Sequence, residues 1–348
     1  MRYVPVQWNG FKYLYDLAFV AATVVYLFLF LRYGPHLAGP QPGVDGAIHI
    51  ARAFGSCAFL MLSVILAIGP LARLDRRFLP LLYNRRHFGV VTFFVAATHA
   101  TAVVNWYFNF SPVPKLNATL SANTSYGQLL GFPFEAFGVF ALIALAVLAF
   151  TSHDFWLKFL TPRIWKAAHY LIYPAYLAVV LHVSLGALQD ETNAVFAVVV
   201  AAAAGAVCVL HAWAALVERR RAVTADLLDG WRVVGRDDEI AEGRAKVVLL
   251  GNGDRVAVFR HEGAFSAISN ACAHQNGPLG EGRILDGCVT CPWHGFQYDV
   301  RNGRTPAPFT DRVPTYNLRR QGDLLLVDPR PNPPGTPTEP VPALEAAT

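Results

Sequence analysis

The sequence predicts a multi-domain protein in which a six-helix transmembrane bundle is followed by a small all-β domain. Three observations lead to this fold class. Six apolar stretches within residues 13–217 can each cross the bilayer core of ~30 Å, which takes about 20 helical residues. After residue 221 the pattern changes to short β-branched and aromatic runs separated by turn residues. The β region also carries two similar motifs that combine Cys and His.

Composition supports a membrane location for the first region. The 348 residues are 54% hydrophobic and only 15% charged, whereas a typical soluble domain is about 25% charged. The net charge of +5 comes from Lys and Arg placed between apolar stretches, so nucleic acid is not an expected partner. The six predicted helices are 13–32, 51–71, 87–108, 131–151, 164–187 and 193–216.

The positive charges also predict a topology. The connections after the second, fourth and sixth stretches are rich in Lys and Arg, whereas 109–130 carries only Lys115 and 188–192 carries two acidic residues. By the positive-inside rule we expect a multi-pass protein of the inner (cytoplasmic) membrane with both termini in the cytoplasm. The basic residues are Arg73, Arg76, Arg77, Arg85, Arg86, Lys158, Arg163, Lys166 and Arg219–Arg221.

The same patterns predict domain boundaries. Residues 1–12 form a cytoplasmic segment before the membrane domain of 13–217, and 218–228 form a linker. The β domain covers 229–328. Residues 329–348 are rich in Pro, Thr and Ala and are expected to be disordered.

Two matched motifs predict a metal centre in the β domain. Cys272-Ala-His274 is separated by 16 residues from Cys291-Pro-Trp-His294. Two thiolates on one iron and two imidazoles on the other are the ligand set of a Rieske [2Fe–2S] centre. A Cys₂His₂ zinc site is the alternative, although zinc fingers usually keep the Cys pair and the His pair apart.

The sequence around these motifs resembles the Rieske family closely: CAHQNGPLGEGRILDGCVTCPWHGFQYDV. The resemblance implies that Cys272, His274, Cys291 and His294 bind a [2Fe–2S] cluster. It also implies that Pro306-Ala-Pro308 belongs to a third loop that covers the cluster. The high-potential relatives carry a further Cys in each loop, which this sequence lacks, so it is more similar to the ferredoxin-like, lower-potential type.

Four histidines in two predicted helices are candidate haem ligands. His87 and His99 are 12 residues apart in the third stretch, and His169 and His182 are 13 apart in the fifth. At 1.5 Å per residue these separations are about 18 and 20 Å, so the four side chains define two depths. Two bis-His haems, one held by His87 and His169 and a deeper one by His99 and His182, would fit. The alternative for His87 is an interfacial histidine, because it follows two arginines.

A second resemblance supports the haem interpretation. Gly69-Pro-Leu-Ala-Arg-Leu, Arg85-Arg86-His87-Phe-Gly…His99 and His169…His182 resemble the ferric-reductase-like transmembrane domain. That family includes NADPH oxidases, ferric reductases and the haem subunit of periplasmic methionine sulfoxide reductase. The resemblance implies one or two b-type haems bound by these histidines.

The combination predicts transmembrane electron transfer. No Gly-x-Gly-x-x-Gly nucleotide motif is present, so we expect a separate soluble donor, either a ferredoxin or a flavoprotein reductase. Electrons would pass from this cytoplasmic donor through the cluster and haem to quinone, ferric iron, oxygen or a periplasmic oxidoreductase. No catalytic residue is assigned.

Two alternatives remain open. A membrane-bound Rieske oxygenase component would need a non-haem iron site such as two His and a carboxylate, and the β region has only His261 besides the cluster motifs. A redox sensor without turnover is the other.

Overall fold

The computed structural model describes residues 10–37, 46–82, 84–189, 194–221, 226–251, 253–274, 276–292, 295–307 and 309–344. The chain divides near residue 214 into two compact units. The first is helical and the second is made of β-strands, which confirms the predicted order of a helical region and an all-β domain. The helices are α1 Gly10–Leu37, α2 Gly46–Leu74, α3 Arg85–Phe108, α4 Lys115–Ser121, α5 Glu135–Phe150, α6 Asp154–His169, α7 Ile172–Leu185 and α8 Ala194–Arg221.

Five helical spans among the described residues are long and apolar enough to cross a membrane: Lys12–Gly34, Gly46–Leu74, Arg85–Phe108, Ala167–Leu185 and Ala194–Val217. The predicted count of six is not confirmed, because the fourth stretch forms the 16-residue helix α5. Pro133 and the left-handed Gly131 (φ 76°) precede α5, so the helix begins later than the apolar composition indicates. Sixteen residues span about 24 Å.

The fifth predicted stretch is divided between α6 and α7. Tyr170 and Leu171 lie in a turn between the two helices. Pro174 explains this break, since it has no N–H and its ring conflicts with the carbonyl four residues earlier, that of Tyr170. Tyr170 O instead accepts the N–H of Tyr173 at 3.1 Å. His169 therefore ends α6, while His182 lies inside α7.

Helix α2 is the most buried of the described spans: half of the residues in its most apolar 18-residue stretch are buried. Its Phe59, Leu62 and Leu66 pack with Leu145 of α5 and Tyr176 of α7. The buried hydroxyls of Ser63 and Tyr176 are 2.8 Å apart. This contact fixes α7 against α2 and satisfies two polar groups that would be costly in an apolar interior. In α1, by contrast, no residue of the most apolar 18-residue stretch is buried, as expected for a helix that contacts lipid.

The β domain consists of twelve strands in three antiparallel sheets among the described residues. The orders are β1-β2-β11-β10, β12-β5-β4-β3 with β9 also paired to β5, and β6-β7-β8. The strands are β1 Leu227–Leu228, β2 Trp231–Arg236, β3 Ala245–Leu249, β4 Arg255–His261, β5 Ala264–Ser269, β6 Arg283–Leu285, β7 Cys288–Thr290, β8 Gln297–Asp299, β9 Thr315–Tyr316, β10 Leu318–Gln321, β11 Leu324–Val327 and β12 Val341–Pro342.

Alternating residues of β4 and β5 build two cores on opposite faces of one sheet. Val256, Val258 and Phe265 face a core completed by Leu325 and Val327. Ala257 and Phe259 face a second core that contains Cys272, Cys291 and Tyr298. The period of two along a strand sends neighbouring side chains to opposite faces. The Cys motifs are thereby anchored to a packed core.

The C-terminal segment differs from the expectation of disorder. Composition predicts a disordered tail from Pro329, whereas the structure shows an ordered segment that continues to Leu344. Val341 pairs with Phe265 of β5, and the N–H of Ala343 donates to Gly263 O at 2.8 Å. Val341 and Ala343 also pack on the first core. A compositional argument fails here because specific pairing with a sheet edge orders a segment that could not fold alone.

Asp237, which directly follows β2, forms a stabilising ion pair with Arg320 of β10, and we predict that Asp237→Asn destabilises the β domain by about 1–3 kcal/mol. Both oxygens of Asp237 accept from the Arg320 guanidinium at 2.9 Å, and the side chains are only 14% and 18% exposed. The denaturant midpoint, followed by loss of cluster absorption, measures the change. Asp323→Asn is the control: its pair with Arg236 is 3.3 Å long and about two-thirds exposed, so the loss should stay within about 0.5 kcal/mol.

The same pair predicts acid sensitivity. Burial opposes ionisation of Asp237, but hydrogen bonds from Arg320 and from the Leu344 N–H outweigh it and hold the pKa below the ordinary 3.8. A depressed pKa in the folded state means that the stabilisation is complete above the ordinary value and is lost as the pH falls further. The stability difference between the wild type and Asp237→Asn should therefore shrink below about pH 4. A difference that stays constant down to pH 2 would contradict the assignment.

Candidate redox centres

The two Cys motifs fold into loops with the same main-chain pattern. The N–H of Cys272 donates to Gly277 O at 2.9 Å, and Cys272 O accepts from the N–H of Asn276 at 2.7 Å. The second loop repeats these bonds five and four residues after its own cysteine: Cys291 N–H to Phe296 O at 2.7 Å, and Gly295 N–H to Cys291 O at 2.9 Å. The main chain thus presents both cysteines in equivalent positions.

Left-handed residues close both loops at the same place. Asn276 has a φ of 58° and Gly295 has a φ of 74°, each four residues after its cysteine. Asn and Gly are the residues that adopt this conformation most readily. The sequence therefore specifies each loop through its cysteine and through the turn residue that follows.

The thiols lie in an almost water-free environment. Cys272 is 1% exposed and Cys291 is 2% exposed, and both belong to the second core. The ring of His274 stacks on Phe296 with centres 4.1 Å apart and planes 15° apart. His294 lies outside the described residues, so the structure places three of the four predicted ligands. Two buried thiols and an imidazole on a rigid support fit the donor set of a [2Fe–2S] cluster.

Tyr298 contacts the cluster site and was not identified from the sequence. Its hydroxyl is 3.4 Å from Cys272 Sγ, and its side chain is fully buried in β8. Burial, and then the adjacent Cys272 thiol, raise the pKa of the Tyr298 hydroxyl. The group therefore stays protonated and can donate a hydrogen bond to a cysteine thiolate. Its only sequence signal is a tyrosine seven residues after Cys291, which is too general to recognise.

We predict that Tyr298→Phe lowers the reduction potential of the cluster. Hydrogen bonds to ligand sulfurs stabilise the extra negative charge of the reduced cluster, so their removal favours the oxidised form. A redox titration followed by EPR measures the shift. Tyr316→Phe, which removes a hydroxyl from a buried tyrosine of the other core, should leave the potential unchanged. An equal shift in both variants would mean that Tyr298 acts only through packing.

In the helical unit, His99 and His182 face each other. Their ring centres are 6.3 Å apart, with an angle of 77° between the planes. Two metal–imidazole bonds of about 2 Å, with roughly 1.1 Å from each nitrogen to its ring centre, give about 6.2 Å. The observed separation therefore leaves room for one metal ion between the rings, and His99 and His182 would hold a haem iron there.

Main-chain carbonyls orient both rings. His99 Nδ1 lies 2.8 Å from Ala51 O of α2, and His182 Nδ1 lies 3.0 Å from Phe134 O, just before α5. Because a carbonyl only accepts, Nδ1 must carry the proton in both rings. The lone pair of each neutral ring is then on Nε2, where a metal can bind it.

A glycine one helical turn after each carbonyl makes room for the ring. Gly55 follows Ala51 by four residues, and Gly138 follows Phe134 by four. A Cβ on Gly55 would lie 2.8 Å from His99 Nδ1, and one on Gly138 would lie 2.7 Å from His182 Cε1. Any side chain at these positions would therefore displace the imidazole.

The cavity around this pair is large enough for a haem. It has a volume of about 1670 Å³ and is lined mainly by apolar side chains, together with Arg52, Glu135 and Gln189. Single-ligand pockets usually measure about 300–1000 Å³, so space remains beside a haem. Glu135 Oε2 and Gln189 Oε1 are buried without a hydrogen-bond partner among the described residues.

We predict that Gly138→Ala reduces the haem content of the purified protein. The new methyl group would push the His182 ring away from the position that ligation requires. The pyridine haemochrome assay gives the haem-to-protein ratio. Gly89→Ala is a matched control on α3, since a Cβ there meets nothing within 4 Å. Normal haem content in Gly138→Ala would exclude His182 as a ligand in the observed orientation.

His169 has the features of a third ligand. Its Nδ1 lies 2.9 Å from Trp165 O, and its ring stacks on Trp165 with centres 3.7 Å apart. Nε2 is buried, and no hydrogen-bond partner is found for it among the described residues. A buried imidazole nitrogen with this environment is suited to bind a metal ion.

His87 has a different environment. Its Nδ1 lies 2.8 Å from Asp16 Oδ2 and 3.1 Å from the Asn84 side-chain nitrogen, and its side chain is 42% exposed. A carboxylate can orient a metal-binding histidine through the other ring nitrogen, but it also suits an interfacial ion pair. The assignment of His87 as a haem ligand stays a prediction.

Comparisons with known proteins agree with both sites. Residues 230–317 match the family described as Rieske [2Fe-2S] domain, and residues 53–180 match the ferric reductase like transmembrane component. The anthranilate 1,2-dioxygenase ferredoxin subunit of Burkholderia cepacia is 35% identical over 98 residues, which are 28% of this chain and 90% of that protein.

Two further similarities were found. The heme-binding subunit of protein-methionine-sulfoxide reductase from Xanthomonas campestris is 33% identical over 140 residues, which cover 40% of this chain and 59% of that protein. Among solved structures, the ferredoxin of carbazole 1,9a-dioxygenase from Nocardioides aromaticivorans is 28% identical. It aligns with 29% of this chain and 100% of its own, with a TM-score of 0.28.

These matches define a redox protein with two domains. The chain belongs to the Rieske [2Fe-2S] family through its β domain, which follows a ferric-reductase-like transmembrane domain. The apolar helices and the second match make it a membrane protein. The Rieske match supports a [2Fe–2S] cluster rather than zinc at the Cys motifs, and the haem-binding relative supports haem in the helices.

Proposed function

We propose that this protein carries electrons across the inner membrane, from a soluble cytoplasmic donor through the Rieske cluster and b-type haem to an acceptor on the far side. The observation that carries the proposal is the His99–His182 pair. Its spacing and its oriented Nε2 atoms fit a haem inside the same chain that holds the Cys272 and Cys291 loops. An iron–sulfur cluster and a b-type haem each accept one electron at a time.

The residues of the chain contribute orientation and exclusion of water. The carbonyls of Ala51 and Phe134 hold a proton on Nδ1 of each imidazole and keep the two rings aligned, so that little has to rearrange when the charge changes. Tyr298 supplies a hydrogen bond to one cluster sulfur, and the second core shields both cysteines from solvent. His169, with His87, would hold a second haem nearer the cytoplasm.

Charge distribution supports the outward direction. The basic connections favour a cytoplasmic location for both termini and for the cluster, and an electron that leaves a negative-inside cell gains about 2.3 kcal/mol per 100 mV. Asp16 beside His87 supports the same direction, since a carboxylate on a ligand imidazole stabilises the ferric state of the haem. A haem at His87 would then pass electrons to the deeper haem, whose ligands face neutral carbonyls.

The relatives point to the classes of partner. The donor to the Rieske domain would be a soluble ferredoxin or a flavoprotein reductase. This class of donor suits a domain that is similar to a protein named as a ferredoxin subunit. For the acceptor, the relative named as a heme-binding subunit of a reductase favours a periplasmic oxidoreductase. The room beside the haem site, with Glu135 and Gln189 at its wall, also admits quinone, ferric iron or oxygen.

The oxygenase alternative has weaker support. His261 lies 3.9 Å from Glu242 and 3.7 Å from Glu262, so carboxylates do surround it. A non-haem iron site of the usual kind needs a second histidine, and the sequence has none in this region besides the cluster motifs. A redox sensor differs from the proposed function in turnover, which the following experiment measures.

We predict that Cys272→Ser abolishes reduction of the haem by a cytoplasmic donor. Loss of one thiolate removes the cluster, and with it the entry point for electrons. The experiment follows haem absorption in inside-out vesicles after a reduced ferredoxin is added. Cys288→Ser is the control: it lies on β7 and is not one of the predicted ligands, and burial raises the pKa of its thiol to about 11, so it stays neutral.

Each result has one meaning. Fast haem reduction in Cys288→Ser and none in Cys272→Ser would support the cluster as the site where electrons enter the protein. Equal rates in Cys272→Ser and the wild type would show that electrons reach the haem without the cluster. Reduction of the haem without passage to any of the four acceptor classes would favour a sensor.

A further inference from the structure

The ordered C-terminal segment runs along the base of the third loop of the Rieske domain. Three of its N–H groups donate to carbonyls there: Asn332 to Thr315 O at 2.9 Å, Gly335 to Val313 O at 3.1 Å, and Thr338 to Arg301 O at 3.0 Å. These carbonyls lie on both sides of the loop. We name residues 332–338 the C-terminal strap.

The strap fits closely against the point where the loop begins and ends. Arg304 and Arg312 pair as an isolated antiparallel bridge at this neck. Arg304 Nε donates to Gly335 O at 2.8 Å. Gly335 has a φ of 84°, and a Cβ on it would lie 2.6 Å from Arg312 Cδ. Only glycine combines this main-chain conformation with so close an approach.

Beyond the neck, the loop reaches a predicted cluster ligand through aromatic contacts. The N–H and hydroxyl of Thr305 both donate to Asp311 O at 3.0 Å, which closes the loop. The ring centre of Phe309 is 5.6 Å from that of Phe296, and Phe296 stacks on His274 at 4.1 Å. A continuous set of contacts therefore connects Gly335 to His274.

We propose that the C-terminal strap is a positioning element for the cluster: it fixes the neck of the third loop and, through Phe309 and Phe296, the orientation of His274. Each contact in this path is short and specific, and packed side chains transmit small displacements. The orientation of a ligand imidazole and the exclusion of water are both levers on the properties of a metal centre. The proposal rests on the cluster assignment alone and does not depend on the path through haem.

The test compares Gly335→Val with Gly322→Val in the full-length protein. Both glycines have a positive φ, 84° and 60°, so both substitutions strain the main chain. A Cβ on Gly322, in the hairpin between β10 and β11, meets nothing within 4 Å, whereas one on Gly335 meets Arg312. We expect Gly335→Val to shift and broaden the EPR signal of the reduced cluster and to speed its bleaching in air several-fold. Gly322→Val should match the wild type.

A second pair of variants avoids steric pressure on the fold. Arg304→Met removes the bond to Gly335 O, and Arg301→Met is its control, because Arg301 meets the strap through its main-chain carbonyl. The Arg301 side chain instead pairs with Glu262 at 2.6 Å. We expect a changed EPR signal in Arg304→Met only. Phe309→Leu, which shortens the aromatic path without touching the strap, should reproduce that change.

The outcomes separate this proposal from the proposed function. Wild-type EPR signals in Arg304→Met and in Gly335→Val, with the cluster fully incorporated, would overturn the role of the strap whatever the haem does. Equal changes in Arg304→Met and Arg301→Met would also overturn it, since the effect would then come from lost surface charge. Altered signals in the predicted variants support it even where haem reduction fails.

Discussion

The helical site depends on hydrogen bonds between two histidine rings and main-chain carbonyls of other segments, and these carbonyls must be open to the rings. A helix carbonyl is usually covered by the side chain one turn later, and here that position is glycine twice, Gly55 after Ala51 and Gly138 after Phe134. The carbonyl can then accept a second hydrogen bond, from a histidine of another helix. These two carbonyls orient the rings of His99 and His182, whose centres are 6.3 Å apart.

In the Rieske loops, main-chain hydrogen bonds likewise fix the positions of the predicted ligands. The positions of Cys272 and Cys291 are set by hydrogen bonds of their own N–H and C=O groups, and a left-handed residue closes each loop. Main-chain contacts are short and have few degrees of freedom. A cofactor that exchanges single electrons benefits from such rigidity, because a ligand that moves with each charge change adds to the barrier. In both sites, side chains are then free to tune the centre, and the Tyr298 hydroxyl, 3.4 Å from Cys272 Sγ, is placed to do so.

Much of this organisation can be predicted from the sequence, and the features that cannot be predicted have physical causes. The Cys and His motifs, the order of the two domains and the apolar spans depend on residue type and spacing. The length of α5 and the break before α7 depend on Pro133 and Pro174, whose effect on a helix a hydropathy pattern does not register. Tyr298, Gly55 and Gly138 have no local signal, because their roles arise from contacts with residues 26 to 44 positions away. The segment after Pro329 lacks the apolar residues of a fold of its own, yet gains order from β5.

Each site draws its described ligands from its own unit. The three described cluster ligands and their aromatic contacts lie between Cys272 and Phe309, and the His99–His182 pair with its two carbonyl partners lies between Ala51 and His182. In the proposed function, joining the two units in one chain keeps a one-electron carrier at high effective concentration for its redox partner. That gain would be kinetic, since tethering replaces a diffusional encounter between two proteins, and under the proposed function it would favour covalent attachment of a ferredoxin-like domain to a bundle that transfers electrons.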